Sequence, residues 1–302
     1  MAFLASSILL LSYGIVAIIE AIAPQPQTSQ PGNDSLISES QPTTDLEPNS
    51  SLESDGKWSK DMGPVQQTIN NFEVIAPDHR MIQLPENGSV DMSYFSDAVF
   101  VGDSLTDGLR IYTGIENAVA EVAQFVCAEN LSPKSFIDGI ITNFDHLPDQ
   151  NGVEAIVATN PKKLYITLGT NALVSQSHEQ VIYYYDKLLN ILMERLPDDT
   201  LIYVCSVTPT TASYAAKRPN FAWDKMYAIN NQIAKMCNEK GLYYVNLHEA
   251  LAEDDGYLAE ENSGDGIHLK PDMYSRWVQY LMTHTVHRPD NPYIIGSPYY
   301  VG

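Results

Sequence analysis

Residues 98–108 read AVFVGDSLTDG, an apolar run that stops at Gly102 and passes into polar residues. A short run rich in β-branched and aromatic residues, ended by glycine, is typical of a buried strand. Four further runs of this kind follow, at 122–127, 164–168, 201–207 and 242–245. Strands that are apolar along their whole length are typical of parallel sheets covered on both faces.

Helical patterns separate the later strands, at 178–196, 221–240 and 271–284. Strands alternating with helices predict an α/β fold, here a doubly wound, flavodoxin-like, five-stranded parallel sheet with helices on both faces. In the strand order 2-1-3-4-5, ligands bind outside the carboxyl ends of strands 1 and 3. Ser104 follows strand 1 and Asn171 follows strand 3, so we expect both to flank one crevice.

The charge balance limits the partners of the chain. Of 302 residues, 17 are Lys or Arg and 38 are Asp or Glu, which gives a net charge of −21. Nucleic acids and anionic lipid headgroups are bound by clustered basic residues, so both are excluded as expected partners. The acidic surface also favours neutral esters over anionic substrates at long range. Three scattered cysteines without a CxxC pair argue against a disulfide framework and against structural zinc.

The first 23 residues are almost wholly apolar and, as a helix, reach about 33 Å, enough to cross a bilayer. We expect an uncleaved transmembrane anchor at 1–23, with a cleaved signal segment as the alternative. Residues 24–63 are rich in Pro, Ser, Gln and acid, which predicts a disordered tether. An anchor followed by a tether places the working domain outside the cytoplasm, at the membrane or secreted.

The remaining chain divides into three predicted parts. Residues 95–284 carry all the strand and helix patterns and are expected to form one domain. The N-terminal extension 64–94 and the C-terminal tail 285–302 give no clear structural signal.

The polar residues after the strands suggest nucleophilic catalysis. A serine hydroxyl needs a base within hydrogen-bond reach, and the base needs an orienting group. His268 is the natural base for Ser104, and Asp265, three residues earlier, is placed to orient it. Each residue also has a structural alternative: a capping box at 104–107, turn roles for Asn171 and Asp265, and a surface position for His268 like the other six histidines.

Three blocks resemble signatures of the SGNH or GDSL hydrolase family: FVGDSLTDG at 100–108, Gly169-Thr170-Asn171, and DGIH at 265–268. The resemblance covers about 95–284. It implies that Ser104 is the nucleophile, His268 the base and Asp265 its orienting residue. It also implies no metal and no organic cofactor. The oxyanion hole would be formed by the backbone N–H of Ser104, the backbone N–H of Asn130 and the side-chain amide of Asn171.

The chain departs from the family pattern at two positions. In AQFVCAENLSP, residues 123–133, Asn130 stands where the family has a glycine. Asparagine tolerates a left-handed backbone, so its N–H can keep the same direction, but its side chain would crowd the acyl pocket. Ala172 follows Asn171 where the family has an acidic residue.

The expected function is that of a serine esterase acting on small O-acyl esters, acetyl among them, on a carbohydrate or cell-wall polymer. Two alternatives stay open. The first is an O-acyltransferase that uses the same acyl-enzyme with a sugar hydroxyl as acceptor. The second is a non-catalytic cell-surface binding module on the same fold.

Overall fold

The computed structural model describes residues 66–69, 72–75, 78–112, 119–139 and 151–301. The predicted anchor 1–23 and the predicted tether 24–63 lie outside the described residues. Among the helices that are described, none is both long enough and apolar enough to cross a membrane.

The strands are β1 (Gln66–Ile69), β2 (Phe72–Ile75), β3 (Ala98–Gly102), β4 (Gln124–Cys127), β5 (Lys163–Thr167), β6 (Leu201–Cys205) and β7 (Tyr243–Val245). The helices are α1 (His79–Ile82), α2 (Ser104–Ile111), α3 (Pro133–Ile137), α4 (Gly152–Thr159), α5 (Thr170–Ser175), α6 (His178–Arg195), α7 (Ala212–Ala215), α8 (Trp223–Lys240), α9 (Leu247–Leu251) and α10 (Pro271–Thr283).

The strands β3 to β7 form one parallel sheet in the order β4-β3-β5-β6-β7. These are the five predicted strands in the predicted order 2-1-3-4-5, so the α/β fold class is confirmed. The second strand begins later than predicted because residues 119–121 form a 3-10 turn before it. The fourth strand ends earlier, at Cys205. A separate antiparallel pair, β1 and β2, precedes the sheet.

Alternate side chains of each strand enter two different cores. Val99 and Val101 point into the core formed with α3, α4, α6 and α8. Ala98 and Phe100 point into the core formed with α2, α9 and α10. Because both faces are covered, each strand is apolar throughout, as its sequence indicated.

One face of the sheet carries a row of aromatic rings, one from each strand: Phe125, Phe100, Tyr165, Tyr203 and Tyr243. Neighbouring centroids lie 5.2, 4.8, 4.4 and 5.6 Å apart. The first three pairs are stacked and the last is tilted. Stacked aromatic pairs contribute beyond the area they bury, so this row binds the five strands together.

Local signals explain the ends of the three predicted helices. A capping box between Ser177 and Gln180 starts α6. Gly241 ends α8 with a left-handed φ of 70°, which glycine adopts without strain. Pro271 occupies the first turn of α10, where its missing N–H costs nothing.

The two segments without a clear sequence signal contact each other. The Asp91 N–H donates to the Pro292 carbonyl at 2.6 Å, and the Ile294 N–H donates to the Ser89 carbonyl at 3.0 Å. Val90 and Tyr293 form an antiparallel bridge between the two bonds. The tail therefore packs back onto the segment that precedes β3.

Candidate active site

Ser104 is the first residue of α2, directly after the central strand β3. The helix is capped by Asp103, whose carboxylate accepts from the Leu105 N–H at 3.0 Å. The alternative in which Ser104 caps the helix through a capping box with Asp107 is therefore wrong. Because Asp103 caps the helix, the half-buried Ser104 hydroxyl can form a hydrogen bond with a residue outside the helix.

The Ser104 hydroxyl binds His268, which in turn binds Asp265. Ser104 Oγ lies 3.0 Å from His268 Nε2, and His268 Nδ1 lies 2.6 Å from Asp265 Oδ2. The side chains of His268 and Asp265 are 53% and 56% exposed. The structure thus brings the three predicted residues into one hydrogen-bonded chain that opens to solvent.

The loop before α10 fixes the Asp265 carboxylate through its second oxygen. Asp265 Oδ1 accepts from the backbone N–H groups of Ile267 and His268, both at 2.9 Å, and from the Ser263 hydroxyl at 3.3 Å. Burial raises the pKa of Asp265, but the hydrogen bonds from His268 and from these N–H groups outweigh it and hold the pKa well below its usual range. The turn role and the contact with His268 therefore coexist in Asp265.

Asp103 is buried beneath Ser104, and burial raises its pKa to about 6. The Leu105 N–H, the charge of His268 and hydrogen bonds from both the side chain and the backbone of Asn171 oppose that rise. Asn171 is therefore a neighbour of the residue that precedes Ser104. An amide has two N–H donors, so one bond to Asp103 leaves a second donor for another acceptor.

Asn130 has the left-handed backbone expected for it, with φ of 59°. It lies in a turn that the Leu131 N–H closes onto the Ala128 carbonyl at 3.3 Å. The Ala128 N–H donates to the Gly102 carbonyl at 3.3 Å, which ties this turn to the end of β3. Asn130 is thereby placed beside the strand end that carries Ser104, with its side chain exposed.

Several residues around the site were not identified from the sequence. Ser263 is buried, and its hydroxyl accepts from the Gly266 N–H at 2.8 Å while donating to Asp265. The Thr211 N–H donates to the Gly266 carbonyl at 2.9 Å, which ties the segment after β6 to this loop. Neither residue belongs to a sequence pattern: Ser263 acts through contacts within the loop before α10, and Thr211 acts through a contact between two segments that are distant in the chain.

The surface position expected for the other histidines is wrong for three of them. His79, His248 and His284 are all buried. Within the described ranges, no group of three His, Cys, Asp or Glu side chains is arranged to hold a metal ion.

Comparison with solved structures gives distant similarities. The chain is similar to a GDSL-like lipase from Bacteroides thetaiotaomicron, with 13% identity over 61% of this chain and 84% of that chain, and a TM-score of 0.49. It is also similar to a carbohydrate acetylesterase from Sinorhizobium meliloti, with 14% identity over 61% of this chain and 96% of that chain, and a TM-score of 0.42. At these values the solved structures bear on neither substrate nor mechanism. No curated protein matches the chain.

The family model is more informative. The model of the GDSL-like lipase/acylhydrolase family matches residues 100–276, more than half of the chain. This range contains all five predicted site residues: Ser104, Asn130, Asn171, Asp265 and His268. The chain therefore belongs to the GDSL-like lipase/acylhydrolase family and is a serine hydrolase that cleaves esters.

Proposed function

We propose that this enzyme hydrolyses small O-acyl esters through an acyl-enzyme on Ser104. The observation that carries the proposal is the chain of hydrogen bonds from Ser104 Oγ through both ring nitrogens of His268 to Asp265. A serine, an imidazole and a carboxylate in this order can activate the hydroxyl without any cofactor.

In the first half-reaction, Ser104 Oγ attacks the acyl carbon while His268 Nε2 takes the hydroxyl proton. The tetrahedral intermediate then collapses, and His268 gives that proton to the departing alcohol. In the second half-reaction, water attacks the acyl-enzyme while His268 Nε2 accepts a proton from the water; His268 then gives that proton to Ser104 Oγ as the bond to the acyl carbon breaks and the free acid leaves.

Three donors are assigned to the oxyanion of each tetrahedral intermediate. They are the Ser104 N–H at the start of α2, the Asn130 N–H in its left-handed turn, and the side-chain amide of Asn171. Such donors act most strongly when they are held in place before the reaction. The bond from the Ala128 N–H to the Gly102 carbonyl supports the turn of Asn130, and Asn171 lies close enough to Asp103 to lower the pKa of that carboxyl.

The exposure of His268 and Asp265 favours an ester carried on a large molecule. A site that opens to solvent admits an acyl group on a polysaccharide chain. The Asn130 side chain, in the place of a glycine, favours a short acyl group such as acetyl. Together with the predicted anchor 1–23 and tether 24–63, these features support an O-acyl carbohydrate or cell-wall polymer as substrate, acted on outside the cytoplasm.

The test uses the full chain and p-nitrophenyl acetate. We expect release of p-nitrophenol by the parent protein, and a loss on the order of 10⁶-fold in kcat for Ser104→Ala and for His268→Ala. Ser275→Ala and His287→Ala are matched control variants outside the site and keep the parent rate. Equal rates in the site variants and the controls would refute the assignment.

A serine-directed fluorophosphonate probe gives a second readout. We expect labelling at Ser104 in the parent protein and none in Ser104→Ala. An unlabelled parent protein would instead favour a non-catalytic binding module. Acetylated product formed in excess sugar acceptor would favour an acyltransferase over a hydrolase.

A further inference from the structure

One segment connects the two halves of the proposed site. We call Thr211–Phe221 the cleft wall. At its start, the Thr211 N–H donates to the Gly266 carbonyl at 2.9 Å, in the loop of Asp265 and His268. Near its end, Asn220 Nδ2 donates to the Leu173 carbonyl at 2.9 Å, on the helix of Asn171. The cleft wall therefore borders the region in which Ser104 meets His268.

Tyr214 of the cleft wall packs against the backbone between Asp265 and His268. A Cβ atom placed on Gly266 would lie 2.6 Å from Tyr214 Cβ and 3.1 Å from Tyr214 Cδ2. Gly266 also has φ of +94°, so a glycine is needed there for two reasons. The Tyr214 ring is half-buried and also packs edge to face against Phe221, with centroids 5.3 Å apart.

Arg218 lies over this ring, with its guanidinium 5.2 Å from the Tyr214 centroid. Four other arginines lie within 4.0 Å of a carboxylate: Arg80, Arg110, Arg195 and Arg276. Among the described residues, no such carboxylate partner is found for the exposed Arg218. Arg288, the sixth arginine, likewise has no carboxylate within 4.0 Å among the described residues, but it lies at the amino ends of the strands, away from Ser104.

The neighbouring cation, Lys217, lies near Glu260. The Ser213 N–H and hydroxyl donate to Glu260 at 2.9 and 2.8 Å. These hydrogen bonds from Ser213 lower the pKa of Glu260, and the charge of Lys217 adds to the shift. Arg218 differs from Lys217 in lying over Tyr214, the residue that packs on the loop of His268.

The position of Arg218 decides which part of a substrate it meets. His268 gives its proton to the departing alcohol, so the alcohol part of the ester lies on the His268 side of the site. The cleft wall packs on the loop of His268 through Tyr214. We therefore expect groups attached to the alcohol to extend toward Tyr214 and Arg218, and the acyl group to extend away from them.

We infer that Tyr214 and Arg218 form a subsite for a carboxylate-bearing alcohol, and that the substrates are acyl esters of acidic sugars. The planar guanidinium pairs with a carboxylate through two parallel hydrogen bonds, and the aromatic ring packs against the sugar. This subsite rests on the proposed function. It reverses the preference for neutral esters expected from net charge, since long-range repulsion is screened beyond about 8 Å at physiological salt.

The test compares two acetyl esters with the full-length protein. In 4-acetoxybenzoate the alcohol part carries a carboxylate, and in its methyl ester that charge is removed. We expect Arg218→Gln to lower the ratio of kcat/KM for the anionic ester over the neutral ester by about tenfold or more. The neutral ester alone should be hydrolysed at close to the parent rate.

Arg288→Gln is the matched control, because it makes the same charge change at an exposed arginine in the tail. Arg288 lines a cavity with Lys162 and Lys163 at the amino ends of the strands, away from Ser104. An unchanged ratio in Arg218→Gln, or an equal change in both variants, would overturn the subsite while the esterase assignment stands. No turnover of either ester by the parent protein would refute the esterase and the subsite together.

Discussion

His268 Nδ1 and Asp265 Oδ2 lie 2.6 Å apart, while the other oxygen of the same carboxylate accepts from the backbone N–H of His268. One carboxylate therefore holds both the ring and the backbone of the base. This arrangement sets which ring nitrogen carries the proton, and it leaves Nε2 as the acceptor toward Ser104.

Asp265→Asn should separate these two functions. The amide oxygen can still accept from the Ile267 and His268 N–H groups, so the loop should keep its shape. The amide nitrogen would face Nδ1 as a donor and force the proton onto Nε2, which then cannot accept from Ser104. We expect kcat to fall about 10⁴-fold with an unchanged melting temperature. Asp272→Asn in the first turn of α10 is the control, and a loss below about tenfold would contradict this role.

Asn130→Gly should change acyl preference without straining the chain. Glycine adopts the φ of 59° at least as readily as asparagine, and it removes the side chain that stands in the family's glycine position. We expect higher kcat/KM for esters longer than acetyl, measured with a series of p-nitrophenyl esters. Asn160→Gly is the matched control, since Asn160 has φ of 47° at the end of α4, outside the predicted site. Identical profiles for the parent protein and both variants would remove the idea that the amide limits the acyl pocket.

Gly102→Ala should lower the stability of the protein at the carboxyl end of β3. An added Cβ would lie 1.9 Å from Thr106 Oγ1 and 2.6 Å from the Thr167 carbonyl oxygen. We expect a loss of about 1–3 kcal/mol in the free energy of unfolding, since overpacked positions force their neighbours to move. Denaturant unfolding would measure this loss. At Gly264 an added Cβ meets nothing within 4 Å, so Gly264→Ala should keep the parent stability. Equal stability of the two variants would show that β3 and α2 tolerate the extra carbon.

Protonation of His79 should lower the free energy of unfolding of the protein in mild acid. Burial lowers its pKa to about 4, below the usual 6.5, although the charge of Asp78 opposes the shift. The folded protein thus binds this proton less readily than the unfolded chain. The contribution of neutral His79 to the free energy of unfolding is fully present above pH 6.5 and is lost as the pH falls toward 4. A shift of this size corresponds to about 3 kcal/mol.

The matched measurement is unfolding as a function of pH in the parent protein and in His79→Phe. Phenylalanine keeps an aromatic ring against Tyr227, whose centroid lies 4.8 Å from that of His79, but it cannot be protonated. We expect a shallower loss of stability from about pH 6.5 to about pH 4 in the variant. Parallel curves for the two proteins would assign the acid sensitivity to other groups.

The sheet and the long helices could be predicted because their signals are local. The runs at Ala98–Gly102 and Leu201–Cys205 are apolar at every position, and α6 and α8 carry clear helical spacing and end signals. The short helices α3, α4 and α5 were not predicted. A helix of five to eight residues depends on tertiary packing more than on its own periodicity.

The sequence predicted which residues form the site, but it did not predict the hydrogen bonds that hold them in place. Ser104, Asp265 and His268 stand out because they follow strands or precede a helix. The sequence does not show that Asp103, rather than Ser104, caps α2, because both residue types are common at helix N-caps. The cleft wall was not predicted either, because Thr211 and Gly266 are joined by a hydrogen bond between two irregular segments.

The aromatic row has a consequence for how the sheet assembles. A strand shifted by one residue turns each of its side chains to the opposite face. Such a slip in β5 would remove Tyr165 from between Phe100 and Tyr203 and place it among the aliphatic side chains of the other core. The row therefore favours the correct register between β3 and β5, whose carboxyl ends lead into Ser104 and Asn171. Mispaired sheets would lose stacking energy and the catalytic geometry at the same time.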